Sequence, residues 1–61
     1  MEYFVVYEIR SGKRIPVYQS FDRLNARKFA FNHGENADWE LQVYDSNGVC
    51  IYSSYEDWMP F

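Results

Sequence analysis

Residues Trp39–Ser54, WELQVYDSNGVCIYSS, decide the fold. Trp39, Leu41 and Val43 alternate with Glu40, Gln42 and Tyr44, the period of a half-buried strand. Asn47-Gly48 follows. It is the strongest short hairpin signal and predicts a type I′ turn. Val49 to Ser54 then returns as a second strand. A two-residue loop sets Tyr44 opposite Ile51 and Val43 opposite Tyr52.

The same alternation opens the chain. Residues 3–9 place Tyr3, Val5, Tyr7 and Ile9 on one face of a strand and Phe4, Val6 and Glu8 on the other. Arg10-Ser-Gly-Lys-Arg14 is a turn in which Gly12 supplies a positive φ. Ile15 to Gln19 forms a shorter strand. Pro16 has no amide to donate, so this strand belongs at an edge or is irregular. Between the hairpins lies one helical stretch, Phe21 to Asn32, with Ser20 as its N-cap. Phe21, Leu24 and Phe31 make one stripe on it; Ala26, Phe29 and Ala30 make another. Gly34 suits the C′ position that ends a helix, and residues 35–38 form a polar loop. The expected fold is α+β: a single β-β-α-β-β domain over residues 1–61, with 55–61 as a short C-terminal tail. One helix packs on one face of an antiparallel sheet, and the second face is at least partly open. The pattern does not choose which face the helix covers.

A chain of 61 residues holds one domain at most. It is too short for a TIM barrel or a dinucleotide-binding unit with a substrate domain. Its hydrophobic fraction of 48% is too high for a disordered chain. Aromatic residues make up 21%, and large rings are one way to fill so small a core. Cys50 is the single cysteine, so no internal disulfide forms, in keeping with a reducing cytoplasm. Its place in an apolar run predicts a small buried hydrophobe. No apolar run reaches membrane-spanning length, and the chain opens on a strand rather than a basic leader. A complete, cytoplasmic gene product with no membrane association is expected.

Catalysis finds little to work with. His33 is the lone histidine and falls at the helix end, where the last carbonyls attract it. One cysteine and one histidine do not make a zinc pattern. Adjacent Glu56 and Asp57 point apart in extended chain, and no phosphate-cradling glycine motif is present. No enzyme activity, cofactor or metal is expected.

Charge is divided along the chain. The formal net charge is −3, yet residues 1–33 carry all the basic side chains and residues 34–61 carry only acidic ones. Arg10, Lys13 and Arg14 fall on the first hairpin, and Arg23, Arg27 and Lys28 on the helix. These six can track phosphates while exposed rings stack bases, although the total acidity is the reverse of a basic footprint. Glu35, Asp38, Glu40, Asp45, Glu56 and Asp57 can mimic nucleic acid only if they share a surface. Glu40 and Asp45 have opposite strand parity.

The end of the chain, Glu56-Asp57-Trp58-Met59-Pro60-Phe61, resembles the tip of bacterial single-stranded-DNA-binding protein tails, an acidic run followed by Ile-Pro-Phe. Trp58 and Met59 depart from that pattern. The resemblance implies Phe61 in a partner's apolar pocket, its carboxylate on a cation and the acids on a basic rim. The other expectation is that Trp58, Met59 and Phe61 fold back to complete this domain's own core. Taken whole, the chain resembles small phage-encoded proteins that disable host machinery, including certain anti-CRISPR proteins. The strand Tyr3–Ile9, the capped helix, the unit Trp39–Ser54 and the acidic-aromatic end carry that likeness. It implies a non-enzymatic inhibitor or adaptor that binds a host or defence protein handling nucleic acid, in the host cytoplasm. Arg10, Lys13, Arg14, Arg23, Arg27, Glu56, Asp57, Trp58 and Phe61 are the candidate partner-binding residues. The alternatives are direct nucleic-acid binding and homo-oligomerisation, as a homodimer, through the open sheet.

Overall fold

The computed structural model describes residues 2–34 and 37–55. Five elements follow in the expected order: β1 (Phe4–Arg10), β2 (Lys13–Ser20), α1 (Arg23–Gly34), β3 (Glu40–Asp45) and β4 (Cys50–Ser53). The strands form one antiparallel sheet in the order β2-β1-β3-β4. The class is α+β. Pro16 lies on an edge strand, and the β1–β2 register slips between Val6 and Tyr7, beside it.

Gly12 supplies the expected positive φ at the first hairpin, and the second hairpin departs from the expected turn. Ser11 and Gly12 both have positive φ, +51° and +78°, and close a two-residue loop between the paired Arg10 and Lys13. That is the type I′ pattern. At the second hairpin only Gly48 is left-handed, at φ +82°. Its amide donates to the Asp45 carbonyl at 3.0 Å, and the Asp45 amide donates to the Val49 carbonyl at 3.0 Å. The loop is therefore three residues, an ordinary turn closed by a left-handed glycine. Asp45 selects it: Oδ1 accepts from the amides of Asn47 and Val49, both at 2.9 Å. The longer loop shifts the register. Val43 faces Tyr52 as expected, but Tyr44 faces Cys50 rather than Ile51. The irregularity leaves Cys50 exposed, which corrects its placement in the core.

The helix starts two residues late. β2 continues to Ser20, which pairs with Phe4, so the backbone of Ser20 belongs to the sheet. Asp22 takes the N-cap role. Its Oδ1 accepts from the Leu24 amide at 2.9 Å, and its carbonyl receives the first helical bond, from Ala26, at 3.1 Å. Ser20 Oγ accepts from the Asp22 amide at 3.0 Å and braces the cap. Gly34 is the last helical residue and lacks the positive φ of a C′ glycine. Its value lies in close approach: a Cβ there would stand 2.7 Å from Ser54 Cβ. Ser54 is held in turn by Leu41, its amide donating to the Leu41 carbonyl at 2.9 Å and its Oγ accepting from the Leu41 amide at 3.0 Å.

The helix covers the Phe4–Val6 face. Phe4, Val6, Leu41, Val43 and Tyr52 from the sheet meet Ala26 and Ala30 from the helix. No described helix is long and apolar enough to cross a membrane.

Two substitutions test these local geometries. Ser11→Asn suits the first position of a type I′ turn and should raise unfolding stability by roughly 0.5–1 kcal/mol in urea titration. Gly34→Ala drives a methyl into Ser54 and should cost about 1–3 kcal/mol in the same titration.

Candidate functional site

The inner face of α1 is built from two methyl groups, those of Ala26 and Ala30, both fully buried. Small residues there let the helix sit close to the sheet, and the larger apolar residues of the arc are displaced outward. Phe21 is 69% exposed, Leu24 61% and Phe31 45%. The stripe that the sequence left unplaced is thus the outer one.

The two flanks of the helix are closed differently. Towards β2, Phe29 stacks on Tyr18 with ring centroids 4.3 Å apart. His33 stacks on Phe29 at 3.9 Å, and its Nδ1 donates to the Phe29 carbonyl at 3.0 Å. His33 is a capping group in a ring stack. Towards β4 the described contact is of another kind. The Arg27 guanidinium lies over the Tyr52 ring, 5.5 Å from its centroid. Leu24, Arg27, Lys28, Phe31 and Tyr52 line an open groove of about 290 Å³. That is near the lower end of small-ligand pockets, roughly 300–1,000 Å³.

The far face of the sheet is tied up in its own contacts. Arg14 lies 5.4 Å from the Tyr7 ring centroid and 5.0 Å from that of Tyr44. The two rings meet edge to face at 5.4 Å. Tyr44 OH donates to Gln42 Oε1 at 2.8 Å, and Gln42 Nε2 donates to Glu40 Oε2 at 2.8 Å. Ser53 Oγ donates a short bond to the same Glu40 oxygen.

The predicted site residues therefore do not form one surface. Arg10 is on the helix side of the sheet, bonded through Nε to Glu8 at 2.7 Å and lying over Trp39. Arg14 is on the opposite face. Lys13 is exposed beside the first turn, and Arg23 and Arg27 share a helix flank one turn apart. Glu56, Asp57, Trp58 and Phe61 lie outside the described residues, as does Glu35. Of the acids weighed for mimicry, Glu40 is bound in the polar network and Asp45 in the turn, on different faces. Arg10–Glu8 is the only ion pair among the described residues, so the two halves do not neutralise each other there. No group of three metal-ligating side chains occurs among them. Phe21, Leu24, Phe31 and Tyr52 were not among the expected binding residues. The signal available was an apolar arc wider than two alanines need.

Comparison with protein-family models, curated proteins and solved structures finds no match.

If the outer stripe is surface rather than core, Phe21→Ser and Leu24→Ser should each leave unfolding stability within about 0.5 kcal/mol. Leu41→Ala, inside the core, should cost about 2–5 kcal/mol in the same titration.

Proposed function

We propose that this chain is a non-enzymatic protein-binding module that docks its partner on the outer, β4-facing side of α1. One observation carries the reading: two exposed apolar side chains of α1, Leu24 and Phe31, line a groove with Arg27 and Lys28, which have no ion pair among the described residues. Interfaces concentrate apolar and arginine anchors and surround them with a polar rim. The complementary partner offers large apolar side chains flanked by carboxylates. The resemblance to small phage-encoded inhibitors narrows that partner to a host or defence protein that handles nucleic acid, met in the cytoplasm. That narrowing rests on the sequence architecture alone.

Direct nucleic-acid binding has less support. A phosphate-tracking surface needs contiguous cations, and here Arg10 and Arg14 face opposite ways. The rings of the open face already carry Arg14 between them, so a base would have to displace it. Homo-oligomerisation through that face meets the same occupied network.

The test is co-purification of the tagged chain from candidate bacterial hosts, with nuclease present, alongside the Leu24→Asp and Arg27→Glu variants. One stoichiometric protein, retained by the parent chain and lost from both folded variants, is the expected result. Capture that vanishes with nuclease, or that both variants keep, overturns the reading.

A further inference from the structure

We infer that Asn47-Gly48 is a site of spontaneous deamidation, and that the hydrogen bonds to Asp45 hold the reaction back in the folded chain. The site is the β3–β4 loop, apart from the proposed docking surface.

The reaction follows from the residue pair. The Gly48 amide nitrogen gives up its proton to water and attacks the side-chain carbonyl carbon of Asn47. The bond from that carbon to the side-chain nitrogen breaks, ammonia leaves, and a five-membered imide closes. Water then opens the imide at either carbonyl. One opening leaves an aspartate at position 47. The other routes the backbone through the side chain as an isoaspartyl linkage. In sum, one water is taken up and one ammonia released, with no change of oxidation state. Glycine obstructs the attack least, because no Cβ stands beside the nitrogen. The surroundings are open as well. Asn47 and Gly48 are exposed, and a Cβ built on Gly48 would meet nothing within 4 Å.

The folded turn opposes the first step. The Gly48 amide donates to the Asp45 carbonyl at 3.0 Å, so the proton that must leave is engaged. The amides on either side, those of Asn47 and Val49, both donate to Asp45 Oδ1 at 2.9 Å. One residue thus restrains the peptide groups that ring closure must turn. The attack waits for the loop to open, and exposed hydrogen bonds of this kind open far more often than a core does. The isoaspartyl product does not fit the turn it came from. It adds a carbon to the backbone, and the spacing that lets Oδ1 take both amides is lost. β4, four residues long, is then joined to β3 by a lengthened loop.

Mass mapping of the aged full-length chain, with fragmentation to locate the change, provides the test. At neutral pH in enough urea to unfold it, the parent chain should convert at Asn47. The folded parent should convert several-fold more slowly. Asp45→Ala, shown to be folded by circular dichroism, should close most of that gap and match the parent in urea. Asp45→Asn keeps an Oδ1 acceptor and should stay near the folded parent rate. The isoaspartyl form, separated by ion exchange, should unfold at a lower urea concentration than the parent chain. Hydrogen exchange of the parent chain gives a check that needs no variant: protection of the Gly48 amide should account for the slowing of deamidation on folding. No conversion at Asn47 in urea overturns the inference. So does a folded parent that converts as fast as the unfolded chain, or a Gly48 amide without protection. A folded Asp45→Ala chain no faster than the parent, or an Asp45→Asn chain as fast as Asp45→Ala, removes the Asp45 side chain as the guard.

Discussion

The close approach of α1 to the sheet is the constraint from which the rest follows. Ala26 and Ala30 are the only described helix residues that are fully buried, with Phe29 packed beside them, so most of the core volume comes from the sheet. The sheet side chains Phe4, Val6, Leu41 and Val43 fill the layer between. Dense packing in so small a domain then depends on sheet residues rather than helix residues. The corollary is geometric. Of the bulky apolar residues on the same helix, Phe29 packs against that layer, and Leu24 and Phe31 remain exposed.

The two flanks differ in what the neighbouring strand offers. On the β2 side, Tyr18 rises from an edge strand and meets Phe29, so flat rings seal the seam. On the β4 side the strand is short, and the helix packs mainly over β3, β1 and β2. Arg27 reaches across to Tyr52 with a cation where the other flank has a ring. A guanidinium over a tyrosine keeps one side in water, which leaves a groove rather than a seam. The distribution of grooved and occupied surface among the described residues therefore comes from packing. The sheet's far face is occupied by Arg14 and by the Tyr44–Gln42–Glu40 bonds, and the described residues of the helix flank line a groove.

Element order and type were legible because period-2 and helical patterns depend on neighbours in sequence. Tyr3–Ile9 and Trp39–Asp45 alternate cleanly, and both are strands within a residue of expectation. The turns were less legible. Asn47-Gly48 favours a two-residue loop in isolation, but the Asp45 carboxylate two residues upstream stabilises a three-residue one and moves Cys50 out to solvent. Ser11 lies in left-handed backbone that serine adopts at a cost, and the closure of β1 on β2 imposes it. The N-cap went to Asp22 because the pairing of Ser20 with Phe4 is a long-range fact. The site was the least legible part. A helical arc of six apolar residues states that some face inward, and only the sheet decides how many.

An exposed stripe of phenylalanine and leucine carries a standing hazard for a small protein, since apolar patches drive association. The cations beside it moderate that hazard, as charges flanking apolar segments commonly do. They do so at odds with the molecule's net charge of −3, so the stripe and its rim are an apolar, cationic region on an acidic protein. Random drift of surface residues supplies scattered apolar groups. It does not easily supply an apolar arc, two flanking cations and an open seam that coincide with the end of the last strand. That coincidence is the reason the helix flank, rather than the more aromatic sheet face, is the proposed docking surface.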